Sequence, residues 1–128
     1  MSQAMDYKEL IKPNLAPPSI LFPIVWTILY VLMGISYGRL KTKGLIDSDV
    51  FKIYYLQLAI NALWTIIFFN LKWRLFAFVW IILLAIAIII MIIRFYKKDK
   101  IAGILQIPYL IWTLFATYLN LSIYLLNR

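Results

Sequence analysis

Residues 75–93 read LFAFVWIILLAIAIIIMII. No charge, amide or hydroxyl interrupts the run, and 14 of its residues are Ile, Leu, Phe or Val. A helix rises about 1.5 Å per residue, so a run of this length crosses the ~30 Å hydrocarbon core of a bilayer. At ~0.3–0.6 kcal/mol for each large apolar residue, insertion is favoured by roughly 4–8 kcal/mol. With no polar side to present, the simplest reading is a lipid-facing scaffold helix that carries no chemistry.

Outward from this run the pattern repeats. Ser19–Gly38, Ile53–Leu71 and Ile101–Asn127 are also uncharged and long enough to span. The 128-residue chain is 65% hydrophobic and 14% charged, more apolar surface than a soluble domain of that size can bury. The sequence therefore predicts an all-α, polytopic membrane helical bundle with four transmembrane helices. It forms a single membrane domain over 1–128, with residues 1–18 as a tail and proline-rich loop and spans at 19–38, 53–71, 75–93 and 101–127. The first run lacks a small-residue cleavage motif and follows prolines rather than a basic segment, so it reads as a retained helix, not a signal peptide.

The net charge of +8 suggests nucleic acid until the positions are read. Arg39, Lys41, Lys43 and Lys52 flank one loop and Arg94, Lys97, Lys98 and Lys100 another, against Lys8, Lys12, Lys72, Arg74 and Arg128 on the opposite side. Basic residues at span ends set topology, so no nucleic-acid partner is expected, and the larger set predicts both termini on the non-cytoplasmic side. The chain has neither cysteine nor histidine. That removes disulfides, thiolate chemistry and the commonest metal ligand and general base, and no metal site is expected.

Three spans carry polar stripes. Gln57, Asn61, Trp64, Thr65 and Phe68 fall on one helical face, as do Gln106, Tyr109, Thr113, Thr117, Asn120 and Tyr124; Trp26, Tyr30 and Gly34 share a third. An amide in hydrocarbon needs a partner, so Gln57 and Asn61 either join helices or line a pocket beside Trp64. Tyr37, Tyr54, Tyr55 and Trp73 sit where interfacial anchors belong, whereas Trp64 and Trp112 lie too deep for that role. Pro108 is expected to kink the last span. None of the five acidic residues lies within a span core, which argues against proton-coupled export.

Three blocks, KPNLAPPSILFPIVWTILYVLMGIS (12–36), LQLAINALWTIIFF (56–69) and IPYLIWTLFATYLN (107–120), stand in order. They resemble the tryptophan-rich sensory protein / translocator protein family, once called peripheral benzodiazepine receptors, from about Tyr7 to the C-terminus. The resemblance implies a helical bundle with a pocket beneath the proline-rich loop, which becomes a capping loop. Members bind porphyrins such as protoporphyrin IX, isoquinoline-carboxamide and benzodiazepine drugs, and in some cases cholesterol. Carried over by position, the ligand-binding residues would be Tyr7 and Pro18 in the loop, Trp26, Asn61, Trp64, Trp112, Phe115 and Ala116. The family has five transmembrane helices and its first precedes the matched loop. Only MSQAMDYKELIKP stands there in this chain, so the family's first helix is expected to be missing.

The leading expectation is an integral membrane receptor, in a bacterial membrane, for a porphyrin or a drug of those classes, serving tetrapyrrole sensing or regulation. Indole and phenol rings offer faces for stacking on a macrocycle. Without His or Cys the metal-free porphyrin fits better than haem; it would be a ligand, with no cofactor required. The alternatives are a light-dependent porphyrin-degrading enzyme, with Trp26 and Trp112 as its oxidisable catalytic residues, and a porphyrin or sterol transporter. Leu121, Tyr124 and Arg128 match a permissive sterol motif, on which no cholesterol partner is expected. A homodimer is left open.

Overall fold

The structure, a computed structural model, describes residues 21–70 and 73–127. Helix α1 is Leu21–Thr42, α2 is Ser48–Thr65 followed by a π-type turn at Ile66–Asn70, α3 is Arg74–Lys98, α4 is Lys100–Leu105 and α5 is Ile107–Asn127. Among the described residues, four helical segments, Leu21–Thr42, Ser48–Phe68, Arg74–Lys98 and Lys100–Asn127, are long and apolar enough to cross a membrane. Over the described residues the chain forms the helical, four-span bundle expected from the sequence.

The turns follow from their residues. Gly44 adopts φ 69°, and the Gly44 N–H reaches the Lys41 carbonyl (3.0 Å) while the Leu45 N–H reaches Leu40 (2.9 Å). This pairing closes α1, and only glycine takes the left-handed step without cost. Asp47 then caps α2 by accepting the Val50 N–H at 2.9 Å, a contact worth ~1 kcal/mol. Asp99 ends α3 and caps α4, accepting the Ala102 N–H at 3.1 Å.

Helix α3 is not a peripheral scaffold. It packs on α2, α4 and α5, burying Ala77, Ile81, Leu84, Ile88, Met91 and Phe95 while Val79, Ile82, Ile86 and Ile93 stay exposed. Lipid and a neighbouring helix are equally apolar, so its sequence could not announce which stripe meets which; the alanines, small enough for close helix approach, lie on the buried side. At its far end a Cβ on Gly103 would stand 2.6–2.9 Å from the Cβ, Cα and N of Tyr96, so α4 folds back in near backbone contact with α3. Helix α1 leans on α4, where Ser36 Oγ donates to the Ala102 carbonyl at 2.7 Å. The last span is interrupted at Gln106, two residues before Pro108 and within the stretch that the proline was expected to kink, and Pro108 sits in the first turn of α5, where its missing N–H costs nothing.

Candidate functional site

Leu21, Val25 and Leu29 repeat every fourth residue on α1, and Pro108, Ile111, Trp112 and Phe115 occupy one face of α5. Together they line a groove of about 640 Å³, within the size range of small-molecule sites. Trp112 forms its aromatic wall, with ring centroids 5.5 Å from Phe115 and, edge to face, 5.8 Å from Phe22. The Trp112 indole N–H is enclosed yet has no hydrogen-bond partner among the described residues. An indole donor is normally satisfied; this one has no open surface of its own, so the groove as it stands offers a flat apolar body an aromatic wall.

Behind the groove lies a polar interior. The Tyr30 hydroxyl donates to Asn61 Oδ1 (3.2 Å), Asn61 Nδ2 donates to the Tyr109 hydroxyl (2.8 Å), and that hydroxyl donates to Gln57 Oε1 (2.7 Å). Gln57 Nε2 returns to the Tyr54 carbonyl at 2.9 Å. The chain of bonds joins α1, α2 and α5. A second link runs from Trp64 Nε1 to Asn120 Oδ1 (3.2 Å) and from Asn120 Nδ2 to the Arg74 carbonyl (2.7 Å), tying α2 and α5 to the start of α3. Trp26 borders the first network, with ring centroids 5.8 Å from Tyr30, 6.4 Å from Trp64 and 6.2 Å from Tyr109.

The sequence-derived ligand residues thus fall into groups. Trp112 and Phe115 line the groove. Trp26, Asn61 and Trp64 meet in the interior network, and Ala116 is buried in the core. Tyr7 and Pro18 lie outside the described residues. Gln57 and Asn61, which the sequence could assign to glue or to a pocket wall, join helices here. Gln106 and Thr113 are as deeply buried, but among the described residues neither Gln106 amide atom nor Thr113 Oγ has a hydrogen-bond partner. The groove residues that sequence reasoning passed over are Leu21, Val25, Leu29 and Ile111. A leucine or isoleucine facing lipid carries the same signal, so only the three-dimensional meeting of α1 with α5 reveals them.

The opposite end is ionic. Asp99 pairs with Arg39 Nε and with Lys43 Nζ (3.1 Å), and Asp47 with Lys98 Nζ (2.7 Å). Hydrogen bonding from Arg39, aided by Lys43 and the Ala102 N–H against a desolvation penalty, pulls the Asp99 carboxyl down to about 2. Lys98 likewise holds Asp47 below its usual value.

Comparison with known proteins places this architecture among relatives. The TspO/MBR family model matches residues 1–126. The tryptophan-rich protein TspO of Archaeoglobus fulgidus is 44% identical over 122 residues, covering 94% of this chain and 79% of that protein. The tryptophan-rich sensory protein of Cereibacter sphaeroides is 36% identical over 122 residues (94% and 76%). The human translocator protein is 32% identical over 124 residues (92% and 72%).

Proposed function

The chain belongs to the TspO/MBR family, and from that premise we propose that it is a receptor for a flat, hydrophobic, partly anionic ligand, best matched by a metal-free porphyrin such as protoporphyrin IX. Its membrane-length helices and its relatives make it an integral membrane protein, and the relatives that carry sensory or translocator names support a receptor or regulatory role. The observation that carries the ligand reading is the apolar α1–α5 groove with the Trp112 and Phe115 rings in its wall. A macrocycle face stacks on Trp112 and Phe115, and a turn of the indole on binding lets an acceptor at the ligand's edge accept a hydrogen bond from its N–H. Trp26, Asn61, Trp64 and Ala116 back the site; Tyr7 and Pro18, which the family resemblance adds to the ligand set, lie outside the described residues. Isoquinoline carboxamides and benzodiazepines offer the same combination, rings plus one carbonyl. The excess of basic residues around Arg39–Lys52 and Arg94–Lys100 directs that end to the cytoplasm of a bacterial cell.

The test is quenching of tryptophan fluorescence by protoporphyrin IX. The reading expects saturable quenching by the wild type. Trp112→Phe, which keeps a ring but removes the donor, should weaken apparent affinity by about threefold to tenfold, the share of one hydrogen bond. Phe115→Ala should weaken it by a similar factor through lost ring contact. Non-saturable quenching, or affinity unmoved in both variants, would sink the groove as the binding site.

A further inference from the structure

At the basic end, the start of α2 and the end of α3 enclose a second groove of about 400 Å³, lined by Asp47, Asp49, Val50, Arg94, Lys97 and Lys98. Its charges are not all accounted for. Lys98 is engaged by Asp47 at 2.7 Å, and Asp47 also accepts the Val50 N–H. Arg94 and Lys97, both exposed, make no hydrogen bond or ion pair among the described residues. These two cations follow directly on the uncharged run 75–93, which puts them at the depth where lipid phosphates lie. Beneath them on the same side of α3, at spacings of three and four residues, Ile86, Ile90 and Ile93 are exposed.

We propose that this groove seats the headgroup phosphate of an anionic membrane phospholipid. Arg94 and Lys97 donate charge-assisted hydrogen bonds to the phosphate oxygens, and one acyl chain runs down the isoleucine stripe. Asp49 on the α2 wall repels the anion and holds it toward α3, while Asp47 is already occupied by Lys98. The wider basic end adds long-range attraction, since its eight Lys and Arg residues outnumber Asp47, Asp49 and Asp99. A lipid fits better than a soluble phosphate because the cations and the apolar stripe are contiguous and lie at headgroup depth. The inference is independent of the porphyrin reading, which concerns a different pair of helices.

Native mass spectrometry of the full chain in detergent micelles, titrated with dioleoyl phosphatidylglycerol or phosphatidylcholine, tests it. The anionic lipid should bind at least about tenfold more tightly, and Arg94→Gln combined with Lys97→Gln should abolish that preference, each basic residue contributing about fivefold near a membrane surface. Lys41→Gln combined with Lys52→Gln removes the same charge outside the groove and should change affinity by less than about twofold. The charge-keeping Arg94→Lys with Lys97→Arg should retain the preference. The proposal is overturned if the control pair loses as much as the groove pair, if the groove pair keeps its preference, or if the charge-keeping pair loses it. Displacement of the lipid by equimolar inorganic phosphate would equally overturn it, in favour of a soluble anion.

Discussion

Removing the Tyr109 hydroxyl would strand two buried amide groups at once, Gln57 Oε1 and Asn61 Nδ2, which it now serves at 2.7 and 2.8 Å. A buried polar group left unpaired costs ~1–3 kcal/mol, and interhelical bonds in membranes average below that range. Tyr109→Phe should therefore destabilise the bundle by about 2 kcal/mol. Gln106 presents the opposite case three residues earlier, fully buried with neither amide atom partnered among the described residues. Gln106→Leu should leave stability unchanged or raise it by about 1 kcal/mol, because an apolar group of similar volume has no desolvation to recover. Thermal unfolding in detergent followed by circular dichroism measures both; equal losses in the two variants would contradict this division. Sequence periodicity could not separate these residues. It set Gln106 and Tyr109 on one stripe, and what divides them is the presence or absence of Gln57 and Asn61 on the facing helix.

At the scale of the elements, one carboxylate holds three helix ends together: Asp99 ends α3, caps α4 and takes Arg39 and Lys43 from the end of α1 and its following turn. Its folded-state value of about 2 lies below the ordinary carboxylate near ~3.9. The stabilisation is therefore fully present above about pH 4 and is lost as pH falls towards about 2, since the unfolded chain takes up the proton first. Asp99→Asn should remove this portion of the acid sensitivity, flattening melting temperature against pH between about 4 and 2; an unchanged slope would contradict it. The helices themselves were legible because uncharged runs of membrane length have few other uses. Their packing was not. Run 75–93 gave no hint that α3 is the central helix, since lipid and protein select the same side chains. The break at Gln106, two residues before Pro108, was announced by that proline, whereas the approach of Gly103 to Tyr96 depends on how α4 folds back, which no local pattern encodes.

Across the whole molecule, polar bonds join α1, α2 and α5 on the inside while an apolar groove opens between α1 and α5 on the outside. Recurring tryptophans marked the neighbourhood of that groove in the sequence; they could not distinguish Trp112, in its wall, from Trp64, buried in the interior, and Trp26, half-buried against it. The central claim is that the flat ligand occupies the groove. Since the chain has no cysteine of its own, Val25→Cys and Ile111→Cys place single reporters on the two walls, and Ile86→Cys on exposed α3 serves as control. The measurement is the rate of maleimide alkylation with and without protoporphyrin IX. Porphyrin should slow alkylation of the Val25→Cys and Ile111→Cys variants by at least about fivefold, as a partly enclosed ligand shields its walls, and leave Ile86→Cys unaffected. Equal rates with and without porphyrin at both groove positions, under conditions where the protein binds it, would contradict the account.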